Sequence, residues 1–218
     1  MSDTAAGLAF ALGLYENGRD GLARSVEHLV DDAPSTVARG EEIFAEIAPT
    51  LAYLDAPHNP LARALFYCAI NLSLYKALAE QGIDVHAYGD AMLKYLRDDA
   101  TQSATDGEPA ESGPDWHQGP GTHVGEFQIE PLEGNEDFSW GYNITSCAIC
   151  HLFGQHDAMD LVPYMCASDD VMSDQQGQGL RRTGTIALGA HQCDFRYKSG
   201  GEPLRVAELY PDKIKFVS

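Results

Sequence analysis

Basic residues are scarce in this sequence. Its 218 residues include 14 Lys and Arg against 33 Asp and Glu, which gives a formal net charge of −19 at pH 7. This charge repels a phosphate backbone, and no stripe of Lys and Arg reverses it locally. Nucleic acid is therefore excluded as an expected partner, and the acidic surface favours solubility.

Export signals and membrane spans are also lacking. The apolar run at residues 5–15 is preceded by Asp3 and by no Lys or Arg, unlike a secretory signal. Nothing else reaches transmembrane length, so no membrane partner is expected. The five cysteines are an odd number, which favours reduced thiols over a disulfide framework. We expect a cytoplasmic protein.

No internal repeat divides the chain, and its length favours a single domain over residues 1–218. Residues 1–97 read as a helical part, residues 98–125 as a mobile acidic linker, and residues 126–218 as a sheet-rich part. The predicted fold class is α+β, with an N-terminal helical layer packed on a C-terminal antiparallel sheet of about four strands.

The clearest predicted helix begins at Asn59 and Pro60, a cap and a first-turn residue, and ends at Gly82. Asp84 should cap a shorter helix that runs past Leu96. Weaker helix candidates cover residues 8–15, 22–30 and 37–54.

Alternation of apolar and polar residues predicts half-buried strands around residues 127–129 and 138–142. Thr145 or Ser146 should then cap a short helix through Cys150.

A hairpin is predicted nearer the C-terminus, from residues 181–188 and 192–198 joined by Gly189-Ala190-His191. The period of two should place Cys193, Phe195 and Tyr197 on one face and Asp194, Arg196 and Lys198 on the other. Cys193 and Asp194 then line the same pocket only if a bulge intervenes.

The run Cys147-Ala148-Ile149-Cys150-His151 matches a haem c attachment pattern, but such attachment belongs to exported proteins. A thioredoxin-like role for its two thiols needs a lowered pKa at a helix start. Zinc is a third interpretation, and the ligands would come from Cys147, Cys150, Cys166, His191 and Cys193. Their spacing does not form two close pairs, so we expect no metal and no cofactor, with zinc as the alternative. Cys68 and Cys150 are predicted to be small buried hydrophobes.

Cys166 lies three residues before Asp169, within reach if the segment turns. A thiol attacks only as the thiolate, so Cys166 would need a base or a positive neighbour such as His191, His156 or Arg182. From the residues alone, a catalytic and a core cysteine are equally open. Arg182 could clamp a substrate carboxylate through paired hydrogen bonds, or could be an ordinary solvated or paired arginine.

Four runs together resemble the L-2-amino-thiazoline-4-carboxylic acid hydrolase family in order and spacing. They are Trp140 to Cys147, Cys166 to Asp169, Gly179 to Gly189, and Cys193 to Tyr197. The specific part covers residues 138–198, and Leu74 to Leu78 resembles the preceding helical part more loosely. The sequence departs from the pattern after Gly189, where Ala190-His191-Gln192 stands in place of an acidic residue.

The resemblance implies a hydrolase acting on carbon-nitrogen bonds other than peptide bonds. Its substrate would be a small cyclic amidine-like compound bearing a carboxylate, opened to an N-carbamoyl cysteine. Cys166 would be the nucleophile or a polar neighbour of the substrate, and Asp169 its base or orienter. The predicted substrate-binding residues are Cys147, Arg182, Thr185, Cys193 and Asp194. A homodimer is the expected assembly, because dimers are the commonest oligomers.

Residues 189–195 also resemble the 4-vinyl-reductase-type small-molecule-binding domain. This resemblance implies a ligand-binding sensor or carrier instead of an enzyme. A ligand retained through purification, together with no hydrolysis of a cyclic amidine, would favour it.

Overall fold

The computed structural model describes residues 3–103 and 125–209. Its first part consists of helices that pack closely against one another. The elements in chain order are α1 (Asp3–Val26), α2 (Ala33–Ile47), a 3-10 turn (Ala48–Thr50), α3 (Pro60–Ala79) and α4 (Val85–Ser103). The predicted helical layer is therefore confirmed, with the two earliest candidates merged into α1.

Local sequence sets where these helices begin. The side chain of Asn59 accepts a hydrogen bond from the backbone N–H of Leu61 at 2.9 Å, as predicted for the start of α3. The carboxylate of Asp84 accepts from the backbone N–H groups of His86 and Ala87, at 2.8 and 3.0 Å. Gly82 between α3 and α4 has φ 81°, a conformation that glycine adopts without strain.

Gly40 in α2 marks a close approach of three helices. A Cβ there would lie 2.5 Å from the hydroxyl oxygen of Tyr15 in α1 and 3.3 Å from the Cα of Leu74 in α3. The same hydroxyl donates to the carbonyl oxygen of Val37 at 2.9 Å. A side chain at position 40 would therefore displace the hydrogen bond that joins α1 to α2.

We predict that Gly40→Ala lowers the free energy of unfolding by about 1–3 kcal/mol, the usual cost of overpacking. Gly13→Ala is the matched control, because a Cβ at Gly13 in α1 would meet no atom within 4 Å. That change should raise the free energy of unfolding by up to about 1 kcal/mol through helix propensity. Denaturant unfolding measures both, and equal effects of the two changes would contradict the prediction.

The second part contains a three-stranded antiparallel sheet in the order β1-β2-β3. Its strands are β1 (Gln128–Glu133), β2 (Trp140–Ser146) and β3 (Cys193–Tyr197). Between β2 and β3 lie α5 (Ala148–Gln155), α6 (Val162–Gln175) and two short 3-10 turns (Met159–Leu161 and Ile186–Leu188). Helix α7 (Val206–Leu209) follows β3. The α+β class is confirmed, with three strands in the described residues where about four were expected.

The predicted hairpin between residues 181–188 and β3 is wrong. Ile186–Leu188 forms a 3-10 turn that ends at Gly189, whose φ is 94°. Arg181 makes only isolated bridges, to Arg196 and Leu204. The reason is local, because the carboxylate of Asp194 takes the backbone N–H groups of Thr183 and Gly184 that a strand would have used.

The predicted division of β3 into two faces is confirmed. Cys193, Phe195 and Tyr197 are buried while the residues between them are partly exposed. Aromatic rings of β2 stack on this buried face, with 3.9 Å between the ring centroids of Trp140 and Tyr197 and 4.6 Å between those of Tyr142 and Phe195.

Two predicted boundaries move. The strand pairing of β2 extends to Ser146, so Cys147 and not Thr145 or Ser146 occupies the cap position of α5. Helix α4 continues to Ser103, so residues 98–103 of the predicted linker are helical. The rest of that linker up to residue 124 lies outside the described residues. No helix within the described ranges is both long and apolar enough to cross a membrane.

Candidate functional site

Arg182 lies at the centre of the candidate site, with its side chain fully buried. Its Nη1 donates to Oδ2 of Asp169 at 3.2 Å, and its Nη2 donates to Oδ1 of Asp170 at 2.6 Å. Nη2 also donates to the carbonyl oxygen of Cys166 at 2.5 Å. The guanidinium stands 4.8 Å from the ring centroid of Phe195. Arg182 thus connects the buried face of the sheet with helix α6.

The two acids beside Arg182 have different surroundings. The side chain of Asp170 is 1% exposed, and its Oδ2 accepts from the backbone N–H of Val206 at 2.9 Å, so both of its oxygens are used structurally. The side chain of Asp169 is 36% exposed. Asp170 therefore anchors Arg182 within the core, whereas Asp169 leaves part of an ionisable group exposed.

Burial raises the pKa of Asp169 to about 6, even though the charge of Arg182 acts in the opposite direction. A pKa raised by burial in a side chain that is partly exposed means that protein atoms surround the carboxyl group on most sides while one side remains open to solvent. A carboxyl group with a pKa near neutrality can both accept and return a proton under ordinary conditions.

Thiols and phenols from three other elements surround Asp169. The carboxylate is near enough that its charge contributes to raising their pKa values. We call this group the Asp169 cluster: Tyr67, Cys68, Tyr142, Cys147, Cys166, Asp169, Arg182, Cys193 and Tyr197. Cys147 belongs to it because it interacts electrostatically with Cys68, Cys166 and Cys193. The cluster lies where α3, α5 and α6 meet the sheet.

Burial keeps the thiols of the Asp169 cluster protonated. It raises the pKa of Cys166 well above its usual value, although the charge of Arg182 lowers it. It raises the pKa of Cys193 to about 11, while the backbone N–H of Ile186 donates to that sulfur at 3.3 Å. Because a thiol attacks only as the thiolate, the Cys166 of the free protein is not a ready nucleophile.

Two buried polar atoms have no hydrogen-bond partner among the residues that the structure describes. They are Nε of Arg182 and Oγ1 of Thr185, and both residues are fully buried. Buried polar atoms are satisfied in most proteins, so exceptions often indicate a water or ligand contact. Thr185 therefore stays a predicted substrate contact.

The structure brings together most of the residues predicted from sequence. Cys147, Cys166, Asp169, Arg182 and Cys193 all belong to the Asp169 cluster. Asp194 does not, because it lies on the opposite face of β3. There its carboxylate accepts from the backbone N–H of Thr183 at 2.9 Å and from the hydroxyl of Thr183 at 2.6 Å. The carboxylate of Asp194 holds the loop at Thr183, and its contact with substrate stays a prediction.

Sequence reasoning missed several members of the site. The period of two along β2 and β3 could have identified Tyr142 and Tyr197, since it already placed their neighbours on the buried face. Asp170 follows Asp169 directly, and only the position of Arg182 distinguishes their roles. No sequence signal points to Tyr67, which is 38% exposed and whose pKa burial raises to about 12.

A cleft with a volume of about 740 Å³ lies elsewhere, between α1 and α4. Its walls carry charges of both signs, and its cations have partners. Lys94 pairs with Asp98 at 2.5 Å, and Arg24 donates to the hydroxyl of Tyr95 at 3.1 Å. We prefer the Asp169 cluster as the functional site, because it combines a carboxyl group whose pKa is raised to about 6 with the unpartnered buried Nε of Arg182. Across residues 3–103 and 125–209, no group of three or more His, Cys, Asp or Glu is arranged to hold a metal ion.

The fold and the cluster define an α+β protein whose candidate site lies between a helical layer and a three-stranded sheet. The family model described as L-2-amino-thiazoline-4-carboxylic acid hydrolase matches residues 63–197, more than half of the chain. The protein therefore belongs to this family, as its sequence motifs predicted, and the family name implies a hydrolase. Comparisons with curated proteins and with solved structures gave no match.

Proposed function

We propose that the protein hydrolyses a small cyclic amidine-like compound bearing a carboxylate, of the 2-amino-thiazoline-4-carboxylate type, with Asp169 as the acid-base residue. The observation that carries this proposal is the partly exposed carboxyl group of Asp169, whose pKa burial raises to about 6 beside the fully buried side chain of Arg182. The family name supplies the substrate type.

The reaction needs one group that moves a proton twice. Asp169 takes a proton from water as the water oxygen bonds to the ring carbon between nitrogen and sulfur, and it passes this proton to the ring nitrogen, whose double bond to that carbon opens. The tetrahedral carbon then carries one oxygen, two nitrogens and one sulfur. Its carbon-sulfur bond breaks as the carbon-oxygen double bond forms, Asp169 takes the hydroxyl proton and gives it to the leaving sulfur, and the product is an N-carbamoyl cysteine.

Arg182 acts in this proposal as a positioning residue, in place of the substrate clamp expected from sequence. Both of its terminal nitrogens already donate to Asp169, Asp170 and the carbonyl of Cys166, and its side chain is fully buried. It holds one oxygen of Asp169, and its charge limits how far burial raises the pKa of that carboxyl group.

The direct test is turnover of 2-amino-thiazoline-4-carboxylate by the purified chain, followed as release of a free thiol and as the mass of the product. Product formation in proportion to enzyme is the expected result. Absence of turnover in a folded protein, together with a small molecule that remains bound through purification, would instead support the ligand-binding interpretation.

The pH dependence of kcat should show an acid limb near pH 6. The pKa of Asp169 is raised above the usual value for an aspartate, so the carboxylate needed as a base is present only above about pH 6. Turnover should then fall about tenfold for each pH unit below that value. A flat profile between pH 7 and pH 5 would contradict this role of Asp169.

Cys166→Ser should keep turnover within about tenfold of the unchanged protein, because a buried thiol with a raised pKa acts as a polar neighbour and not as the attacking group. A covalent route through Cys166 would instead lose most activity and would show a trapped adduct by mass spectrometry. The same measurement therefore decides between the two roles predicted for this residue.

A further inference from the structure

Cys147 and Cys150 occupy paired positions at the start of α5. Cys147 is the cap residue, with φ −105° and ψ 113°, and Cys150 is the third residue of the helix. The side chains of a cap residue and of the third helical residue converge, as they do in a capping box. Both cysteines are partly exposed, whereas Cys68 and Cys193 are buried. The helix start therefore carries two adjacent cysteines that are partly exposed, as Cys166 in α6 also is.

The two thiols influence each other. Contact with the thiol of Cys150 is the largest cause of the raised pKa of Cys147, and burial adds to it. The backbone N–H groups of Ile149 and Cys150 act in the opposite direction, although neither forms a cap hydrogen bond of good geometry with the sulfur. Cys147 thus stays a thiol at neutral pH with the other sulfur beside it.

We propose that Cys147 and Cys150 form a redox-active dithiol that closes to a disulfide by exchange with low-molecular-weight disulfides. The thiolate of Cys150 attacks one sulfur of the small disulfide, its sulfur-sulfur bond breaks, and one small thiol leaves with a proton. Cys147 then loses its proton and attacks the sulfur of Cys150, which releases the second small thiol. The protein is oxidised by two electrons, and the small disulfide is reduced to two thiols.

The positions suit this bond. A disulfide needs Cα atoms roughly 4.4–6.8 Å apart and side chains that point toward each other. The thiols of the cap residue and of the third helical residue are already within hydrogen-bonding reach of each other. The remaining thiols come from separate elements, namely Cys68 in α3, Cys166 in α6 and Cys193 in β3. Only Cys147 and Cys150 combine this spacing with partial exposure.

Closure would also change the candidate site. Cys147 interacts electrostatically with Cys68, Cys166 and Cys193, so a disulfide removes one thiol from the Asp169 cluster and ties it to α5. A loss of turnover on oxidation is the expected consequence, and this consequence rests on the proposed function. Formation of the disulfide itself does not depend on the proposed function.

The test treats the native protein with excess 2-hydroxyethyl disulfide, blocks the remaining thiols by alkylation after denaturation, and maps the peptides by mass spectrometry. The expected result is a link between Cys147 and Cys150, a mass lower by two hydrogen atoms, and full reversal by dithiothreitol. Cys150→Ser is the matched control and should give no intrachain disulfide. The variant Cys147→Ser should instead accumulate a mixed disulfide at Cys150.

Three results would overturn the proposal: retention of all five thiols, mixed disulfides with no link between Cys147 and Cys150, or a link between other cysteines. Turnover measured before and after oxidation keeps the two proposals separate. If the protein forms the link but shows no turnover in either state, the dithiol proposal stands and the proposed hydrolysis is wrong. A protein that turns over substrate and never forms the link gives the reverse conclusion.

Discussion

Asp169→Asn should lower kcat by about 10²- to 10⁴-fold, the usual contribution of a positioned acid-base group. An amide keeps the size of the side chain and can stay beside Nη1 of Arg182, but it can neither take a proton from water nor return one to the leaving sulfur. The loss should appear in kcat more than in KM, because proton transfer belongs to the chemical step. Steady-state turnover of 2-amino-thiazoline-4-carboxylate measures it.

The control for this change is Asp160→Asn, which neutralises an exposed aspartate shortly before α6. It should leave turnover and the acid limb of the pH profile unchanged. Thermal unfolding of both variants separates a catalytic loss from a folding loss. If Asp169→Asn retained turnover within about threefold, proton transfer by Asp169 would have to be abandoned.

Arg182→Met should lower the free energy of unfolding by about 3–5 kcal/mol, the range found when one partner of a buried ion pair is removed. The side chains of Arg182 and Asp170 are 0% and 1% exposed, so the change leaves the charge of Asp170 inside the core without its partner. The carbonyl oxygen of Cys166 also loses its donor. Denaturant unfolding gives the value.

Arg181→Met provides the comparison at the neighbouring position. Arg181 is exposed and donates to the carbonyl oxygen of Glu202 at 3.1 Å, so its replacement should cost less than about 1 kcal/mol. Adding Asp170→Asn to Arg182→Met should recover part of the loss, because the unpaired charge disappears while an acceptor for the N–H of Val206 remains. A cost for Arg182→Met as small as that for Arg181→Met would contradict a central structural role.

Much of the site could be predicted from sequence because short-range rules place its parts. The spacing of Cys166 and Asp169 puts them on one face of a helix, and the period of two puts Cys193 on the buried face of β3. The family match over residues 63–197 agrees with the motifs that the sequence already displayed. Motifs of this kind can be recognised from sequence because their residues lie close together along the chain.

The roles of Arg182 and Asp194 could not be read in the same way. Sequence places Arg182 at the start of an expected strand, where an arginine that binds a substrate and an arginine in a buried ion pair cannot be distinguished. Only the packing of residues 180–182 against α6 buries the guanidinium and pairs it with the two carboxylates of Asp169 and Asp170. Asp194 was predicted as a site residue because it lies in the run from Cys193 to Tyr197 that resembles the family. In the structure its carboxylate accepts hydrogen bonds from the loop at Thr183 and Gly184.

The sequence by itself determined the α+β class, the helix caps at Asn59 and Asp84, the faces of β3 and the family. Each depends on composition, periodicity or neighbours within a few residues along the chain. The tertiary structure decided which aspartate is buried as an anchor and which is left accessible with a pKa near 6. The reason is that desolvation depends on atoms from elements distant in sequence that pack around a carboxyl group. No local sequence pattern specifies which atoms these are.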